Sequence, residues 1–271
     1  MIPFRKANPT MPRTAPPIAL TIAGSDSGGG AGIQADLKAF HAHQVHGLSV
    51  ITAITSQNTQ GVTAVHTVPL KHIRSQLEAV FDDFPIAAVK TGMLGSASVT
   101  RLVAKEMRAR KPAWLVVDPV MISTSGARLL DEDAVEAMVE ELIPLADVLT
   151  PNLPEAEALL GRKLRKPEQF DRAGEALLAL GARSVLLKGG HSNERDVVDR
   201  FYDENGVMEL RHPRLPLEGH GTGCTLASAI AAELARGRLP RSAVRRAVGY
   251  VHRALERGYQ PGGGDLHVLG H

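Results

Sequence analysis

The residues best suited to chemistry lie in one segment, residues 217–235, where a glycine-rich turn leads into small and apolar residues. Gly221, Thr222 and Gly223 are predicted to begin a helix there. Because two of these residues lack a Cβ, several backbone N–H groups of the first turn can point together at an anion. The helix dipole favours a negative charge at the same place. The segment therefore predicts an anion hole large enough for a phosphate group.

Cys224, the only cysteine of the chain, follows these glycines directly. A helix N-terminus lowers the pKa of a thiol, so a thiolate could act there as a base. An anion hole with a base beside it indicates phosphoryl transfer. The alternative interpretation of Cys224 is a small apolar side chain that packs the start of the helix.

Polar and glycine-rich clusters also follow the predicted strands, one after another. In an open α/β sheet, ligands bind beyond the carboxyl ends of the strands, so these clusters are expected to share one rim. Six of them on one rim are better explained by an active site than by unrelated turns. The clusters cover residues 24–32, 56–59, 90–93, 118–121, 150–155 and 188–191.

The first of these clusters does not match the common glycine-rich nucleotide motifs. Gly29 and Gly30 stand where a P-loop needs glycine and lysine. The Gly-x-Gly-x-x-Gly pattern of a dinucleotide-binding motif is also absent, since the residue after Gly32 is Ile33. The sequence therefore supports neither a P-loop NTPase nor a dinucleotide-dependent dehydrogenase.

Two carboxylates and a lysine in the other clusters suit a nucleotide and its metal. Asn152 and Glu155 stand three residues apart at a predicted helix start, which is also the spacing of a capping box. In the functional interpretation, Glu155 and Asp118 hold hydrated Mg²⁺, which takes only one or two carboxylates. Lys188 would then supply positive charge for phosphate oxygens; its alternative is an ordinary surface lysine.

Asp36 lies in the helix predicted after the first cluster. Ile33, Leu37 and Phe40 form the buried stripe of that helix, and Asp36 flanks the stripe instead of lying opposite to it. We expect its carboxylate to reach inwards to a polar ligand. A structural aspartate that binds loop amides is the alternative.

The remaining sequence predicts the elements that position these residues. Apolar runs without polar alternation are typical of parallel strands covered on both faces. We therefore predict a three-layer α/β/α domain with a mainly parallel central sheet and an edge β-hairpin over residues 196–211. The predicted strands cover residues 18–24, 48–55, 86–90, 114–118, 148–150 and 184–188. The predicted helices cover residues 32–43, 70–83, 97–110, 131–142, 153–160, 167–180, 222–236 and 240–257.

Composition narrows the class of protein. The 271 residues carry a formal net charge of +2, which argues against nucleic-acid binding. One cysteine allows no internal disulfide, which suits the cytoplasm, and no apolar run approaches the length of a membrane span. Residues 1–16 are proline-rich and are expected to form a disordered extension, with residues 17–271 as one domain.

From about residue 18 to 258 the chain resembles the hydroxymethylpyrimidine/phosphomethylpyrimidine kinases of thiamine biosynthesis, members of the ribokinase-like superfamily. The motifs that carry the resemblance start at Ile22, Gln57, Lys90, Asp118, Thr150, Leu187 and His220. The glycine-rich opening that ends in Gln-Ala-Asp, the Gln-Asn-Thr motif and the Gly-Thr-Gly-Cys motif are the most specific of them. The chain departs from some members at Thr124, where these have a lysine before Ser-Gly.

The resemblance implies a role for each site residue. Substrate contacts are implied for Gln57 and Asp36, which would bind the aminopyrimidine, and for Gly24, Met93 and Val120, which would wall its ring. Nucleotide, phosphate and metal contacts are implied for Asp118, Asn152, Glu155 and Lys188, beside the anion hole of Gly221, Thr222 and Gly223. Cys224 would lie next to the substrate hydroxymethyl group and take its proton.

The implied reaction is transfer of the ATP γ-phosphoryl group, with Mg²⁺, to 4-amino-5-hydroxymethyl-2-methylpyrimidine and then to its monophosphate. The resemblance also implies a homodimer, and the single cysteine suits the cytoplasm. Two alternatives remain open at this point: a pyridoxal/pyridoxine kinase, with dual activity also possible, and a catalytically silent pyrimidine-binding sensor. Turnover of ATP with each heterocycle separates them.

Overall fold

The structure, a computed structural model, describes residues 15–121, 132–164, 168–190 and 195–271. Within these ranges the strands are β1 (Ile18–Asp26), β2 (His46–Asn58), β3 (Gly61–Thr67), β4 (Ala88–Thr91), β5 (Leu115–Val117), β6 (Val148–Leu149), β7 (Val185–Leu187), β8 (Asp196–Asp203), β9 (Gly206–Pro213), β10 (Gly219–His220) and β11 (His267–Val268). The α-helices are α1 (Gly32–Ala42), α2 (Leu70–Asp83), α3 (Ala97–Arg110), α4 (Glu132–Ala137), α5 (Leu153–Leu160), α6 (Glu168–Leu178), α7 (Thr222–Ala235) and α8 (Pro240–Glu256).

Nine strands form one sheet in the order β3-β2-β1-β4-β5-β6-β7-β8-β9. The strands from β2 to β7 along this order pair in parallel, whereas β3, β8 and β9 pair antiparallel at the two edges. The small strands β10 and β11 form a separate parallel pair. This arrangement confirms the predicted mainly parallel sheet with an edge hairpin.

Helices cover both faces of the sheet, and the strand residues alternate between the two cores. Leu20, Val89 and Val117 belong to the core shared with α2 to α6, while Ala88 and Val116 belong to the core shared with α1, α7 and α8. Because both faces are apolar, the central strands need no polar alternation. The three-layer prediction is therefore confirmed.

The chain order along the sheet reverses beside β1, which has β2 on one side and β4 on the other. In open parallel sheets such a reversal leaves a crevice at the carboxyl ends of the strands. The helix α7 packs against β1, β4 and β5 beneath this crevice. The fold therefore brings the start of α7 to the rim where the polar clusters lie.

Several predicted elements differ from the observed ones. Strand β3 was not predicted, because most of its residues are exposed and it lacks the apolar run of a buried strand. Helix α4 ends at Ala137 and continues as a π-helical turn over Met138–Leu142, which a helical periodicity does not distinguish from an α-helix. The predictions for residues 1–14 and for Thr124 lie outside the described residues.

No helix in the described part of the chain is long and apolar enough to cross a membrane.

Candidate active site

A cavity of about 650 Å³ lies over the carboxyl ends of the parallel strands and reaches the start of α7. The clusters from six different strand ends contribute to its lining, so the predicted common rim is what the structure shows. Of the residues predicted for the site, the lining contains Gly24, Gln57, Met93, Asp118, Val120, Asn152, Glu155, Lys188, Gly221, Thr222, Gly223 and Cys224.

The N-terminus of α7 is shaped by glycines that leave room beside charged groups. Gly221 has a positive φ of 78°, and a Cβ there would collide with the carbonyl oxygen of Gly30. A Cβ on Gly223 would lie 3.2 Å from Lys188 Nζ and 3.8 Å from Asp118 Oδ2. The missing side chain at Gly223 therefore leaves a space that joins the first-turn amides to a lysine, as a phosphate site requires.

Lys188 lies between two buried carboxylates at the edge of this space. Its Nζ is 2.9 Å from Asp118 Oδ1 and 3.6 Å from Glu155 Oε2. Although burial alone would lower it, Asp118 and Glu155 hold the pKa of Lys188 above its usual value. Lys188 is therefore a charged, enclosed lysine, and the surface-lysine alternative is wrong.

Glu155 belongs to the helix start and to the cavity at once. Its Oε2 accepts a hydrogen bond from Asn152 N at 2.7 Å, and Asn152 Oδ1 accepts one from Glu155 N at 2.8 Å, which completes a capping box. Burial, together with the charge of Asp118, raises the pKa of Glu155 to about 7, against the opposing charge of Lys188. The capping-box interpretation is therefore confirmed, and the metal role of Glu155 stays a prediction.

Asp36 occupies a different place from the one predicted. It is fully buried and absent from the cavity lining. Both of its oxygens lie 2.9 Å from Lys90 Nζ, and they also accept hydrogen bonds of 2.6 Å from Thr21 and Ser228. The prediction that Asp36 binds the substrate is therefore corrected: its carboxylate is already occupied beneath the site, by side chains and not by loop amides.

The prediction for the Cys224 thiol also needs correction. Burial raises its pKa to about 11; Lys90 opposes this shift, whereas Asp36 and Asp118 add to it. The position at a helix N-terminus was expected to lower the pKa, but desolvation and the two carboxylates have the larger effect. Cys224 lines the cavity, and its position next to the substrate hydroxymethyl group stays a prediction.

One lining residue, Asp26, and one buried residue behind it, His220, were missed, although both stand within the quoted motifs. Asp26 lines the cavity and accepts hydrogen bonds from the amides of Gly28, Gly30 and Ala31. His220, directly before the anion hole, is buried and lies 3.1 Å from Asp26 Oδ2. An aspartate that opens a run of glycines is a common turn residue, and this signal could have identified Asp26.

One end of the cavity was not predicted at all. Beyond the anion hole it is lined by side chains of the segment after β9 and of α8, a mostly apolar set that includes Leu215, Leu217, Val248, Val251 and Leu255. These residues form part of ordinary apolar periodicity, so the sequence holds no signal that separates them from core residues.

The fold and the site together define a ribokinase-like α/β protein. A sequence model of the phosphomethylpyrimidine kinase family matches residues 26–269. The chain belongs to this family.

Individual relatives agree with that assignment. A hydroxymethylpyrimidine/phosphomethylpyrimidine kinase of Rhizobium meliloti is 50% identical over 240 residues, which cover 88% of this chain and 90% of the relative. The crystal structure of phosphomethylpyrimidine kinase from Clostridium difficile is similar with a TM-score of 0.79 and 46% identity, covering 88% of this chain and 99% of that one. Pyridoxal kinase from Staphylococcus aureus, solved with AMP-PCP and pyridoxal, is similar with a TM-score of 0.87 and 34% identity, covering 94% and 93% of the two chains.

Proposed function

We propose that the protein phosphorylates 4-amino-5-hydroxymethyl-2-methylpyrimidine, called the aminopyrimidine below, with ATP, and then phosphorylates the monophosphate to the diphosphate, for thiamine diphosphate biosynthesis. The observation that carries the proposal is the position of the anion hole in the middle of one cavity. One end of that cavity suits a small polar heterocycle, and the other end suits a nucleoside.

The heterocycle end is formed by Gly24, Gln57, Met93 and Val120. A Cβ on Gly24 would lie 3.1 Å from Met93 Sδ, so the glycine keeps this part of the cavity open. Apolar walls with one carboxamide provide a flat slot and one polar edge, as a substituted pyrimidine needs. The nucleoside would occupy the apolar end beside α8.

The phosphates would lie between the two ends, at Gly221, Gly223 and Lys188. Fixed amides and a buried cation stabilise the charge that spreads over a phosphoryl group in transfer. Asp118 and Glu155 suit Mg²⁺, because this ion takes few protein carboxylates and keeps other positions for water and phosphate. Mg²⁺, when bound, would neutralise negative charge on the phosphate oxygens.

Cys224 is the proposed acceptor of the alcohol proton in the first transfer. With a pKa of about 11, the thiol is mostly protonated near neutral pH, so only a small thiolate fraction acts as the base. The second transfer has no such requirement, because the attacking phosphate oxygen is already ionised. The two transfers therefore make different demands on the same site.

The direct test is an assay of ADP release with the aminopyrimidine and with pyridoxal, in which the products are identified by mass spectrometry. We expect the monophosphate and then the diphosphate of the aminopyrimidine. Turnover of pyridoxal alone would instead favour the pyridoxal kinase alternative, which the similarity to the Staphylococcus aureus enzyme suggests. Binding of the pyrimidine without ATP turnover would indicate a sensor.

The assembly and location of the protein belong to the same proposal. The family resemblance implies a homodimer, and the single cysteine suits the cytoplasm. Sedimentation velocity at assay concentrations tests the dimer. A monomer that retains full activity would contradict that part.

A further inference from the structure

Three side chains from separate segments meet at the heterocycle end of the cavity. Asp26 ends β1, Gln57 lies near the end of β2, and His220 directly precedes the anion hole. His220 Nε2 is 3.1 Å from Asp26 Oδ2 and 3.1 Å from Gln57 Nε2. His220 and Asp26 are both buried, whereas Gln57 borders the cavity. One ring nitrogen therefore faces a carboxylate and a carboxamide at once.

Asp26 determines whether this ring nitrogen of His220 carries a hydrogen. Three amides of the glycine-rich loop donate to its carboxylate, at 2.7 to 3.0 Å. Although burial alone would raise it, His220 and the amides of Ala31 and Gly28 hold the pKa of Asp26 below its usual value. Because an ionised carboxylate only accepts hydrogen bonds, the nitrogen of His220 must present an N–H to it. That nitrogen then cannot accept a hydrogen bond from Gln57.

Thr55 leads to the same conclusion from the other side of the carboxamide. Its Oγ1 lies 3.0 Å from the carbonyl oxygen of Ser25 and 3.1 Å from Gln57 Oε1. The hydroxyl has one proton, and the carbonyl can only accept it, so Thr55 is left as an acceptor for the amide group. A carboxamide has nearly the same shape when turned over, and its neighbours decide its orientation. When the nitrogen of Gln57 faces Thr55 and its oxygen faces His220, Thr55 accepts a hydrogen bond, and the single N–H of His220 is shared between Asp26 and the carboxamide oxygen.

We propose that His220 is a positioning residue that holds the oxygen of Gln57 on its own side and thereby sets the orientation in which the pyrimidine ring binds. The inference rests on the proposed function. Along the polar edge of the aminopyrimidine, a ring nitrogen, the amino group and the hydroxymethyl group follow in that order. A carboxamide binds the first two together, with its nitrogen donating to the ring nitrogen and its oxygen accepting from the amino group.

The orientation of Gln57 consequently decides where the reacting group lies. With the oxygen of Gln57 towards His220, the amino group lies on that side, and the hydroxymethyl group lies still further in the same direction. Gly221, the next residue after His220, begins the anion hole. The opposite orientation would direct the hydroxymethyl group away from it. His220 thus links ring recognition to the place of phosphoryl transfer.

The test compares the aminopyrimidine with its analogue in which an oxo group replaces the amino group, because this analogue reverses the donor and acceptor along the edge. The measurement is kcat/KM of the first transfer for both compounds. We expect the wild type to prefer the aminopyrimidine by about 10²-fold or more, as expected when buried polar groups are left unpaired. His220→Phe keeps a ring against Gly30 but has no N–H. Thr55 alone does not fix Gln57, because its hydroxyl can turn and donate to the carboxamide oxygen instead, so the preference should fall to within about tenfold. His220→Gln can donate to both neighbours and should keep most of the preference.

Thr55→Val provides a matched control on the other side of the carboxamide. If His220 sets the orientation, this variant keeps the preference, and this expectation can be tested even if His220→Phe does not fold. A full preference in folded His220→Phe, or a lost preference in Thr55→Val, would overturn the inference. Absence of aminopyrimidine turnover in the wild type would instead refute the proposed function itself.

Discussion

The described part of the molecule contains two buried lysine–aspartate pairs with the same separation and different positions. Lys90 Nζ and Asp36 Oδ2 are 2.9 Å apart, as are Lys188 Nζ and Asp118 Oδ1. The first pair is fully buried, and additional hydroxyl groups bind its carboxylate. The second pair lines the cavity, where Lys188 keeps a small exposed fraction and faces the space left by Gly223.

The difference teaches that a buried ion pair is not by itself a sign of function. Asp36 has all its neighbours inside the protein, so the pair with Lys90 fixes α1 and α7 against β1 and β4. Lys188 shares two carboxylates at an open edge, where a ligand oxygen can approach it. We therefore assign the first pair to the scaffold and the second to the phosphate site, and the predictions below test this division.

Cys224, whose pKa depends on members of both pairs, gives the largest expected effect. Cys224→Ala should slow the first transfer by roughly 10²–10⁴-fold, the usual scale of general-base catalysis, and the second transfer much less. In the wild type, the first-transfer rate should rise about tenfold per pH unit between about pH 7 and 9, because the thiolate fraction rises below a pKa of about 11. Single-turnover assays with each acceptor measure both effects.

A different result would identify Cys224 as a packing residue. In that case Cys224→Ala would slow the two transfers equally or not at all, and the first transfer would show no thiolate-dependent rise with pH.

Lys90→Met should have the largest effect on stability. Removal of one partner leaves Asp36 buried without its cation, which costs about 3–5 kcal/mol of unfolding free energy. Urea denaturation measures the loss, and Lys163→Met is the matched control, since Lys163 is 73% exposed in its pair with Glu157. This control should lose at most about 1 kcal/mol. If the Lys90→Met protein were as stable as the control, the pair of Lys90 and Asp36 would not stabilise the fold.

Glu155→Gln should give a smaller effect, with opposite signs for activity and stability. Because folding raises the pKa of Glu155 to about 7, its protonated form favours the folded state, and that stability is lost as the pH rises from about 4.5 through 7. Above pH 7 the variant should therefore melt at the same temperature as the wild type or higher. We expect an activity loss of about tenfold and a higher Mg²⁺ requirement, since each lost unit of charge weakens cation binding.

Thermal melting at pH 6 and 8 and Mg²⁺ titrations of activity check this prediction. A large loss of stability with unchanged Mg²⁺ dependence would show that Glu155 serves only the capping box.

The layers of the fold could be predicted from the sequence, because apolar runs and helical periodicity directly reflect which residues are buried. Helices α2, α3 and α5 begin and end at the predicted residues. Strand β3 was not predicted, because an exposed edge strand needs no apolar pattern. The π-helical turn after α4 has the same kind of residues as a helix, and only its backbone hydrogen bonds differ.

The candidate site was predictable only in part, and the two lysine–aspartate pairs show the reason. The sequence patterns indicated both Asp118 and Asp36 as site carboxylates, although Asp36 also had a structural alternative. The spacing could not show that Lys90, Thr21 and Ser228, which are distant in sequence, occupy both oxygens of Asp36. The prediction of a lowered pKa for Cys224 was wrong for a similar reason, because its burial and its carboxylate neighbours depend on the whole fold.

The central claim is that Lys188, and not Lys90, binds phosphate oxygens. It is tested most directly by measuring kcat/KM for ATP and the melting temperature of Lys188→Met beside the wild type. We predict a fall in kcat/KM of about 10²–10³-fold, the scale for loss of one charge-stabilising donor. The melting temperature should also fall, because Asp118 is left buried without its cation. An unchanged kcat/KM for ATP in a folded Lys188→Met protein would contradict the account.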